Sequence, residues 1–589
     1  MIKLSDYLAK RLFEHYKQER IFLVSGGGAM HLNDSFGRYI PYTCFHNEQA
    51  CAFAAEGYAR VNQKLAVVNV TTGPGGLNCL NGLFGQWTDS VPVLYISGQV
   101  KKQTMMLSYP DIKLRQLGDQ EVDIISVVKP LTKYAVTVQE PNKIKYCLDK
   151  AIYEATTGRK GPVWLNIPID VQSAIIDENN LESFVKPVQN VFDFDTDEIL
   201  SKLQKAKKPL IIAGHGIRLA NQINEFKNLA DSLKIPIVTT FNGFDILDKN
   251  NPYYIGRIGT IGQRAGNFTL QNADLILCLG TRNNIRQISY NWVNFAKNAY
   301  KIAVDIDREE LNKPLINYDM KIQADLADFI PKLLESIKDV SFYRAKWFEF
   351  CQNLKNKYSF ENYTEHTQKE QINPYYFIKS LTDKINKNDI LISANATPSI
   401  CIFQIADLNG ERVIMNSGDA SMGFALPASI GASYQAKGKI IAIEGDGSMM
   451  MNLQELQTIV HNNLPIKIFV INNSGYSSIK QSQKNFFNGH LTGSDINSGV
   501  SMPDFEKVAQ AFGIKAIKLS DPNKTEEIIN MVLEEKAPIL CEVIVQKDYI
   551  FAPKLSSKSL PDGTILSPTL EDMYPFLDKK EFEENIFKG

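Results

Sequence analysis

The sequence predicts an α/β protein with three doubly wound, parallel-sheet domains and a C-terminal flap. Two observations support this prediction. The chain has 589 residues, which is enough for three or four domain-sized units that each bury a core. Short apolar runs also alternate with helix-like stretches, a pattern typical of mostly parallel sheets covered by helices. The runs, in chain order, are IFLVSG, LAVVNVTTG, VPVLYISG, GPVWLNIP, PLIIAG, IPIVTTF, LILCLG, KIAVDI, LISAN, IIAIEGDG, IKIFVINN and PILCEVIV.

Polar segments divide these runs into three groups. Residues 186–196, which include Pro187, are typical of a linker, and the Lys- and Asn-rich residues 352–372 are typical of a second connector. The first and third groups have the same pattern of strands and helices. The Pro- and Ser-rich end of the chain predicts an extended flap rather than a domain. The predicted domains are 1–185, 190–345 and 370–550, followed by a tail at 551–589.

Composition excludes some classes of partner. The formal net charge is −1, and no basic or acidic tract dominates, so neither nucleic acid nor an anionic membrane is an expected partner. The N-terminal segment MIKLSDYLAKRLFEHYKQE has no continuous apolar stretch and no small-residue cleavage site. It therefore predicts neither a signal peptide nor a membrane span. The eight cysteines are dispersed without a C-x-x-C pair, which indicates reduced core residues and a cytoplasmic location.

A motif for metal and phosphate lies in the third group of runs. Asp446 stands between two glycines, and Asn473 follows 27 residues later at the end of an apolar run. The intervening βαβ unit returns the chain to the same sheet edge, where Asn473 and the Gly475 carbonyl can join Asp446 around a hard cation. This oxygen-rich set of low charge is what Mg²⁺ prefers, and the glycine turn attracts phosphate. The expected elements are a strand at 439–443, a helix at 452–461 and a strand at 466–471.

This motif is that of thiamine diphosphate (ThDP) enzymes, and the chain resembles that family along nearly its whole length. The likeness is greatest to the acetolactate synthase branch, most clearly over GDGSMMMNLQELQTIVHNNLPIKIFVINN. The resemblance implies a pyrimidine-binding, a central and a diphosphate-binding domain, with ThDP and Mg²⁺ as cofactors. It implies that Asp446, Asn473 and Gly475 are the metal ligands. The residues implied to contact the cofactor from this domain are Gly445, Gly447, Ser448, Asn473 and Tyr476, and the turn Asn395-Ala396-Thr397.

Glu48 is the candidate proton-transfer group. It lies in HNEQ and is followed by small and apolar residues that should form a buried helix. A carboxyl in such surroundings has a raised pKa, although the pattern alone also fits an ordinary glutamate at a helix N-terminus. The resemblance implies that Glu48 exchanges a proton with the pyrimidine ring of ThDP. Glu56, on the same stretch, is expected to be structural.

Two Gly-rich turns of the first domain permit close approach of the backbone to a ligand. They are SGGGA, with Gly27 and Gly28, and TGPGGLN, with Gly75 and Asn78. Both turns resemble family loops beside the cofactor, with Asn78 as a structural hydrogen-bonding residue. Gln120 matches a family glutamine near the reacting carbon.

A loop of the third domain, NSGDASMGF, resembles the loop that bends the cofactor. The resemblance implies that Met422 forces the cofactor into its V shape, which is catalysis by proximity. It also implies that the Ala420 carbonyl accepts a hydrogen bond from the pyrimidine amine. The chain is one residue shorter here than typical acetolactate synthases.

The central domain carries GTRNNIR and then DID. This spacing resembles the FAD-binding region of acetolactate synthases, with Arg282, Arg286 and Asp305 as the matching residues. An arginine is a natural partner for a diphosphate or for the anionic group of an acceptor. FAD, if bound, would be structural, because carboligation needs no net redox change.

Two residue types that related enzymes carry, and that this chain lacks, bear on the reaction. Pyruvate decarboxylase-type enzymes carry adjacent histidines where SGQVKKQTMMLSYPDIKLRQLGDQE has none, which disfavours simple decarboxylation. Acetolactate synthases place a tryptophan nine residues after the metal asparagine, where this chain has Ser482. The smaller residue predicts a wider, more polar acceptor pocket. Together with RQLGDQE and GTRNNIRQ, it resembles the ThDP carboligases of bacterial branched-sugar pathways.

The predicted reaction is transfer of an acetyl unit from pyruvate to a carbonyl acceptor, namely a nucleotide-linked ketosugar in bacterial polysaccharide biosynthesis. The alternatives are an acetolactate synthase catalytic subunit and a 2-oxo acid decarboxylase. A non-catalytic scaffold would lack the glutamate or the metal motif, and this chain has both. In this family the glutamate and the metal site come from different chains, so the resemblance implies an obligate homodimer, or a homotetramer built from it, with sites at the interface.

Overall fold

The computed structural model describes residues 1–188, 192–337, 341–359, 362, 370–559, 562 and 564–588. The predicted linker at 186–196, the connector at 352–372, the domain starting at 190 and the tail at 551–589 lie partly outside these residues. Within them the chain forms three six-stranded sheets, and every strand pair in these sheets is parallel. Two small antiparallel sheets pair Ile2–Lys3 with Ile175–Ile176 and Lys558–Ser559 with Ile565–Leu566. The predicted fold class is therefore confirmed.

The first and third sheets have the same strand order. When the strands of each sheet are numbered along the chain, both run 2-1-3-4-6-5. The first sheet consists, in spatial order, of Tyr42–Cys44, Ile21–Leu23, Ala66–Val70, Val93–Gln99, Val163–Pro168 and Tyr134–Thr137. The third consists of Arg412–Met415, Ile390–Ser393, Ile440–Gly445, Lys467–Asn472, Ile539–Ile544 and Lys515–Leu519.

The central sheet is doubly wound in a different order, 3-2-1-4-5-6. Its strands, in spatial order, are Tyr254–Arg257, Ile237–Thr239, Pro209–Ala213, Leu275–Leu279, Tyr300–Asp305 and Met320–Gln323. In open parallel sheets, ligands bind at the carboxyl ends of strands where the strand order reverses. That position lies between the first and third strands in the outer two domains and between the first and fourth in the central one.

Helices cover both faces of each sheet, as the alternating pattern predicts. Those of the first domain are Leu4–Lys10, Met30–Tyr39, Glu48–Asn62, Pro74–Asn78, Leu80–Asp89, Ile124–Val128, Ile144–Thr156 and Ile169–Gln172. Those of the central domain are Thr196–Lys205, Gly216–Leu219, Ile223–Leu233, Arg264–Asn272, Ile285–Ile288, Arg308–Leu311, Leu326–Ser336 and Ala345–Lys357. Those of the third are Pro374–Thr382, Ala396–Ile405, Ala425–Ser433, Asp446–Asn452, Glu455–His461, Ser477–Phe486, Phe505–Ala511 and Thr525–Glu534.

The first and third domains meet at a close helix crossing. Helix Glu48–Asn62 packs on helix Ala425–Ser433, and both lie in one apolar core. A Cβ atom on Gly57 would lie 2.0 Å from the Ala428 carbonyl oxygen, and one on Gly431 would lie 1.8 Å from that of Ala54. The two backbones therefore touch at a distance that only glycine permits.

The described part of the tail lies against the central domain. The Nδ2 atom of Asn267 donates to the Leu570 carbonyl at 2.9 Å, and Arg264 donates to the Met573 carbonyl at 3.2 Å. Leu570 is buried in the central core, and the short helix Lys579–Glu584 follows. The described tail is thus mostly irregular chain whose carbonyls accept hydrogen bonds from side chains of the central domain.

All eight cysteines are free, and all except the exposed Cys44 are buried, in agreement with the expected reduced core residues. Among the described residues, no helix has both the length and the apolar character needed to cross a membrane.

Candidate functional site

The third sheet brings two predicted cofactor turns together where its strand order reverses. The turn Asn395-Ala396-Thr397 follows strand Ile390–Ser393, and Asp446 follows strand Ile440–Gly445. These two strands pair directly. The helix expected at 452–461 corresponds to Glu455–His461, and a separate helix, Asp446–Asn452, precedes it because Gly445 is extended and Asp446 is already helical.

Asp446 is a buried carboxylate surrounded by backbone donors. It accepts from the N–H of Gly447 at 2.7 Å, of Asn473 at 3.1 Å and of Gly475 at 3.0 Å. Burial raises the pKa of Asp446 to about 6, and these N–H groups oppose the rise. The predicted ligands Asn473 and Gly475 thus both lie within hydrogen-bonding distance of Asp446, through their backbone N–H groups.

The Asn473 side chain has one satisfied end and one unsatisfied end. Its Nδ2 atom donates to the Tyr549 hydroxyl at 3.2 Å, whereas its buried Oδ1 atom has no hydrogen-bond partner among the described residues. A buried acceptor without a donor is costly unless a ligand satisfies it. An oxygen of this kind beside a carboxylate fits a hard cation such as Mg²⁺.

The site is one of amide, carbonyl and carboxylate oxygens rather than of clustered acids. The described residues contain no group of three or more His, Cys, Asp or Glu side chains that could hold a metal. Gly447 packs under the Tyr476 ring, since a Cβ there would lie 2.0 Å from a ring carbon, while a Cβ on Gly445 would meet nothing within 4 Å. The backbone at Gly445 therefore borders open space that a diphosphate could occupy.

The predicted cofactor-bending loop is tied to this turn. The Gly423 N–H donates to the Ser448 hydroxyl at 2.7 Å, and Asn452 donates to the Gly423 carbonyl at 2.8 Å. Ala420 has a left-handed backbone with φ of +57°, and its N–H is bound by the Asn416 side chain at 2.8 Å. Met422, between these anchored positions, is half-buried.

The first domain assembles a second group of predicted residues. The Asn78 Nδ2 atom donates to Glu48 Oε2 at 2.9 Å, and a Cβ on Gly75 would lie 3.5 Å from Glu48 Oε1. Glu48 is the first residue of its helix, and residues 50–60 that follow are buried. Glu48 itself is only half-buried in the single chain, so the buried carboxyl expected from the sequence is not formed by one chain.

The remaining predicted residues of the first domain lie around the point where the strand order of the first sheet reverses. The Gly28 N–H donates to the Thr71 hydroxyl at 3.1 Å, which joins the two Gly-rich turns, while Gly27 borders open space. Gln120 is exposed and has φ of +58°. Its carbonyl packs against Gly73, where a Cβ would lie 2.0 Å from that oxygen. Gln120 is therefore near the turn that carries Gly75, at the edge of the group.

The central sheet has a cavity of about 300 Å³ at its own strand reversal. Arg282, Arg286 and Asp305 all line it, together with the glycines that follow the first and fourth strands. The Arg286 guanidinium lies over the Phe241 ring at 4.9 Å and has no hydrogen bond or ion pair to the described residues. Burial lowers the pKa of Arg286 and raises the pKa of Asp305 to about 6. The cavity therefore presents the Arg286 cation, which has no ion-pair partner among the described residues, to a ligand.

Two residues of these sites were missed by reasoning from the sequence. Tyr549 bonds both Asn473 and Thr397, and Asp89 accepts from the Ser417 N–H at 3.0 Å beside the central cavity. Both contacts join residues that are far apart in the sequence, so no local motif could predict them. Ser482 is exposed on helix Ser477–Phe486, and its hydroxyl bonds only the Ser478 carbonyl of the preceding turn.

Comparison with known proteins identifies the family of the chain. Three family models match in order: Thiamine pyrophosphate enzyme, N-terminal TPP binding domain at residues 2–126, central domain at 196–333, and C-terminal TPP binding domain at 399–543. The chain is 31% identical over 545 residues to the acetolactate synthase large subunit of Lactococcus lactis subsp. lactis (strain IL1403), covering 91% of this chain and 92% of that protein. It is 30% identical over 533 residues to the acetolactate synthase isozyme 2 large subunit of Escherichia coli (strain K12), covering 90% and 93%.

The relatives bear on the predicted reaction. They are named acetolactate synthases, so the expected likeness to branched-sugar carboligases is not confirmed, and the alternative of an acetolactate synthase agrees with them better. The resemblance to a thiamine diphosphate enzyme is confirmed at the level of all three domains. The chain belongs to the acetolactate synthase-like family of thiamine diphosphate-dependent enzymes.

Proposed function

We propose that the protein is a ThDP- and Mg²⁺-dependent carboligase that takes pyruvate as donor and a second 2-oxo acid as acceptor, as an acetolactate synthase does. The observation that carries the proposal is the buried, unpartnered Oδ1 atom of Asn473 beside Asp446, in a chain that also retains Glu48. Relatives that span nine tenths of the chain bear the name of this activity. When bound, ThDP supplies the electron sink for decarboxylation and carbon–carbon bond formation.

The residues have separate tasks in this proposal. Asp446, Asn473 and the Gly475 carbonyl would hold Mg²⁺, and Gly445, Gly447, Ser448, Tyr476 and the turn Asn395-Ala396-Thr397 would border the diphosphate. Glu48, oriented by Asn78, which donates to its Oε2 at 2.9 Å, would hold a proton on the other carboxyl oxygen, Oε1, and exchange it with the pyrimidine ring. Gly27, Gly28, Gly75 and Gln120 would enclose the reacting end. Ala420 and Met422 lie on a loop whose anchoring to Ser448 keeps it in place.

The test is product analysis with purified protein, ThDP, Mg²⁺ and pyruvate. We expect CO₂ release with acetolactate as the product and loss of turnover when Mg²⁺ is removed by chelation. Acetaldehyde as the main product would instead assign the protein to the decarboxylases. An absence of any pyruvate consumption, alone or with a second carbonyl compound, would contradict carboligation from pyruvate.

A bulkier acceptor is a second candidate, because Ser482 is small and exposed where acetolactate synthases carry tryptophan. The same assay with a panel of nucleotide-linked ketosugars tests it. A sharp rise in CO₂ release, with a product heavier by one acetyl unit, supports this acceptor class. In that case Ser482→Trp should suppress the sugar reaction more than pyruvate self-condensation. Equal loss with both acceptors would contradict the placement of Ser482 in the acceptor pocket.

We also infer that the central cavity holds a nucleotide cofactor, with FAD as the candidate. The support is the unpaired Arg286 and the position of Arg282 and Asp305 at the strand reversal. A volume of about 300 Å³ is at the lower end for ligand pockets, so it suits the nucleotide part of FAD. The visible absorbance of the purified protein decides this, since a colourless protein that takes up no added FAD would contradict it.

Homodimers, or tetramers built from them, are the proposed assembly. Large apolar side chains are exposed near the Glu48 group of the first domain and near the Asp446 group of the third, which together we call the two half-sites. Such exposure is unusual for a surface that stays in water. They are Leu77, Phe84 and Trp87 beside Asn78 in the first domain and Met450 and Met451 beside Asp446 in the third.

A further inference from the structure

Tyr549 is buried behind the proposed metal site, at a position that no motif assigns. It is 4% exposed and follows strand Ile539–Ile544 of the third sheet. Its hydroxyl has two side-chain partners, Asn473 and Thr397. Its carbonyl accepts from Gln481 on helix Ser477–Phe486 at 2.8 Å, and its ring packs edge-on against Phe551 with centroids 5.3 Å apart. The hydroxyl is therefore held in place from both the backbone and the ring.

The contact with Asn473 decides which end of an amide faces the metal. An asparagine side chain carries an acceptor oxygen and a donor nitrogen, and only the oxygen can be a ligand for a hard cation. The Asn473 Nδ2 atom donates to the Tyr549 hydroxyl at 3.2 Å, so Oδ1 is turned to the opposite side, where it has no partner among the described residues. If the amide turned over, its N–H groups would face the cation and could not bind it.

The contact with Thr397 joins the second turn to the first. Because the Tyr549 hydroxyl accepts from Asn473, its own proton is available for donation to the Thr397 hydroxyl. Thr397 belongs to the turn after the first strand, across the strand reversal from Asp446. One hydroxyl thus connects a predicted metal ligand to a predicted diphosphate turn.

We propose that Tyr549 is a positioning residue that orients the Asn473 amide towards the divalent metal and ties this ligand to the Thr397 turn. The proposal rests on the proposed Mg²⁺ and ThDP site. Removal of a group that hydrogen-bonds a metal-ligating side chain typically lowers metal affinity by about 10- to 100-fold. Tyr549 is neither a proposed metal ligand nor one of the residues proposed to enclose the reacting end, so its effect should appear first in metal affinity.

The test measures how much Mg²⁺ is needed to retain ThDP in equilibrium dialysis, for the wild type and for Tyr549→Phe. We expect the variant to need about tenfold more Mg²⁺. The matched control is Tyr318→Phe, which removes another buried tyrosine hydroxyl bonded by an asparagine amide, that of Asn283 at 2.9 Å, but in the central domain. The control should retain ThDP at the wild-type Mg²⁺ concentration.

The outcomes separate this inference from the proposed function. A wild type that does not retain ThDP with Mg²⁺ contradicts the proposed site itself. A wild type that does, with Tyr549→Phe indistinguishable from it, contradicts only the positioning role. The apo proteins are also melted, so that a general loss of stability in Tyr549→Phe is seen directly.

A double-variant cycle separates orientation from general damage. In Asn473→Asp, both ends of the side chain are oxygens, so a ligand atom faces the metal whichever way the group turns. Adding Tyr549→Phe to Asn473→Asp should then raise the Mg²⁺ requirement by less than about twofold, which is strong coupling between the two positions. A tenfold loss in both backgrounds would mean that Tyr549 only supports the local fold, and would overturn the proposal.

Discussion

Glu455 shows how the structure uses a buried carboxyl outside the proposed metal site. It accepts from the His46 N–H at 3.2 Å, which positions the segment just before Glu48, and from the Thr458 hydroxyl at 2.6 Å. Burial raises the pKa of Glu455 from 4.5 to about 7, against the opposing effect of these donors. The folded protein therefore keeps a proton on Glu455 over a pH range in which the unfolded chain has released it.

This linkage predicts a pH-dependent stability. The contribution of Glu455 is complete below pH 4.5 and is lost as pH rises through about 7. Glu455→Gln is neutral at every pH and keeps an acceptor, so it should lose no stability in this range. The melting temperature of the variant should therefore rise relative to that of the wild type between pH 5 and pH 8. The rise should be a few degrees, because the wild type loses up to about 3 kcal/mol of unfolding free energy over this range. Glu527→Gln, at an exposed position, is the control. A difference that does not change with pH would contradict the buried proton.

Glu48 leads to a prediction about chemistry rather than stability. Glu48→Gln keeps the side-chain length and an acceptor for Asn78, but it cannot exchange a proton. Turnover should fall about 10²- to 10⁴-fold. Retention of ThDP in dialysis should stay near the wild-type level, because the proposed diphosphate and metal contacts lie in the third domain. Normal turnover in this variant would exclude Glu48 as the proton-transfer group.

Sequence reasoning could find Glu48, Asp446 and Asn473 because each lies in a short local pattern. Their roles remain predictions, but the structure places Asp446 and Asn473 in contact. Tyr549 could not be found in this way, since its bond to Asn473 joins residues 76 apart and depends on how the last strand returns to the sheet. The half-buried state of Glu48 likewise depends on what covers the chain, which no local pattern encodes.

At the scale of elements, the twelve apolar runs correspond to the inner four strands of each sheet. In the three six-stranded sheets, the strands not predicted are the two edge strands of each. Edge strands need less burial, and Tyr134–Thr137 and Met320–Gln323 are mostly half-buried. Tyr254–Arg257 is buried but contains a glycine and an arginine within four residues. Continuous apolar runs therefore identify the strands covered on both sides and pass over those at the rim.

Helix Ala396–Ile405 depends on a residue of another domain. Its N-terminal residues form a predicted diphosphate turn, while its last carbonyls are bound by Arg257 of the central domain. The guanidinium donates to the carbonyls of Phe403 at 2.5 Å and Ile402 at 3.3 Å, and to that of Ala406. A buried cation at a helix C-terminus satisfies the unpaired carbonyls and interacts well with the helix dipole.

Removal of this contact should destabilise the interface between the two domains. Arg257→Met leaves several buried carbonyls without a donor, at about 1–3 kcal/mol each. We expect the melting temperature to fall by several degrees, whereas Arg308→Met, at an exposed position in the same domain, should change it little. Equal melting of the two variants would show that water or another donor replaces Arg257.

At the scale of the whole molecule, Asp89 connects all three domains. It is buried in the first domain, accepts from Asn242 of the central domain at 3.2 Å and from the Ser417 N–H of the third at 3.0 Å. Arg60 lies 3.5 Å and Arg282 3.9 Å from its carboxylate. The loop that carries Met422 and the wall of the central cavity thus both bond to the Asp89 carboxylate. This one side chain therefore links the three domains of the chain.

The assembly of two such units can be tested with two inactive variants. Within one chain, Gln49 and Asn452 already join the neighbourhoods of Glu48 and Asp446 at 3.2 Å, while the exposed Trp87 and Met451 favour a partner chain at both half-sites. If each site takes Glu48 from one chain and Asp446 from the other, Glu48→Gln and Asp446→Ala should complement each other. A mixed dimer then has one intact site, and random pairing of equal amounts restores about a quarter of wild-type turnover. The variants are co-refolded or co-expressed, and each alone is the control. If both residues of a site come from the same chain, every site in the mixture carries one lesion, and no activity returns.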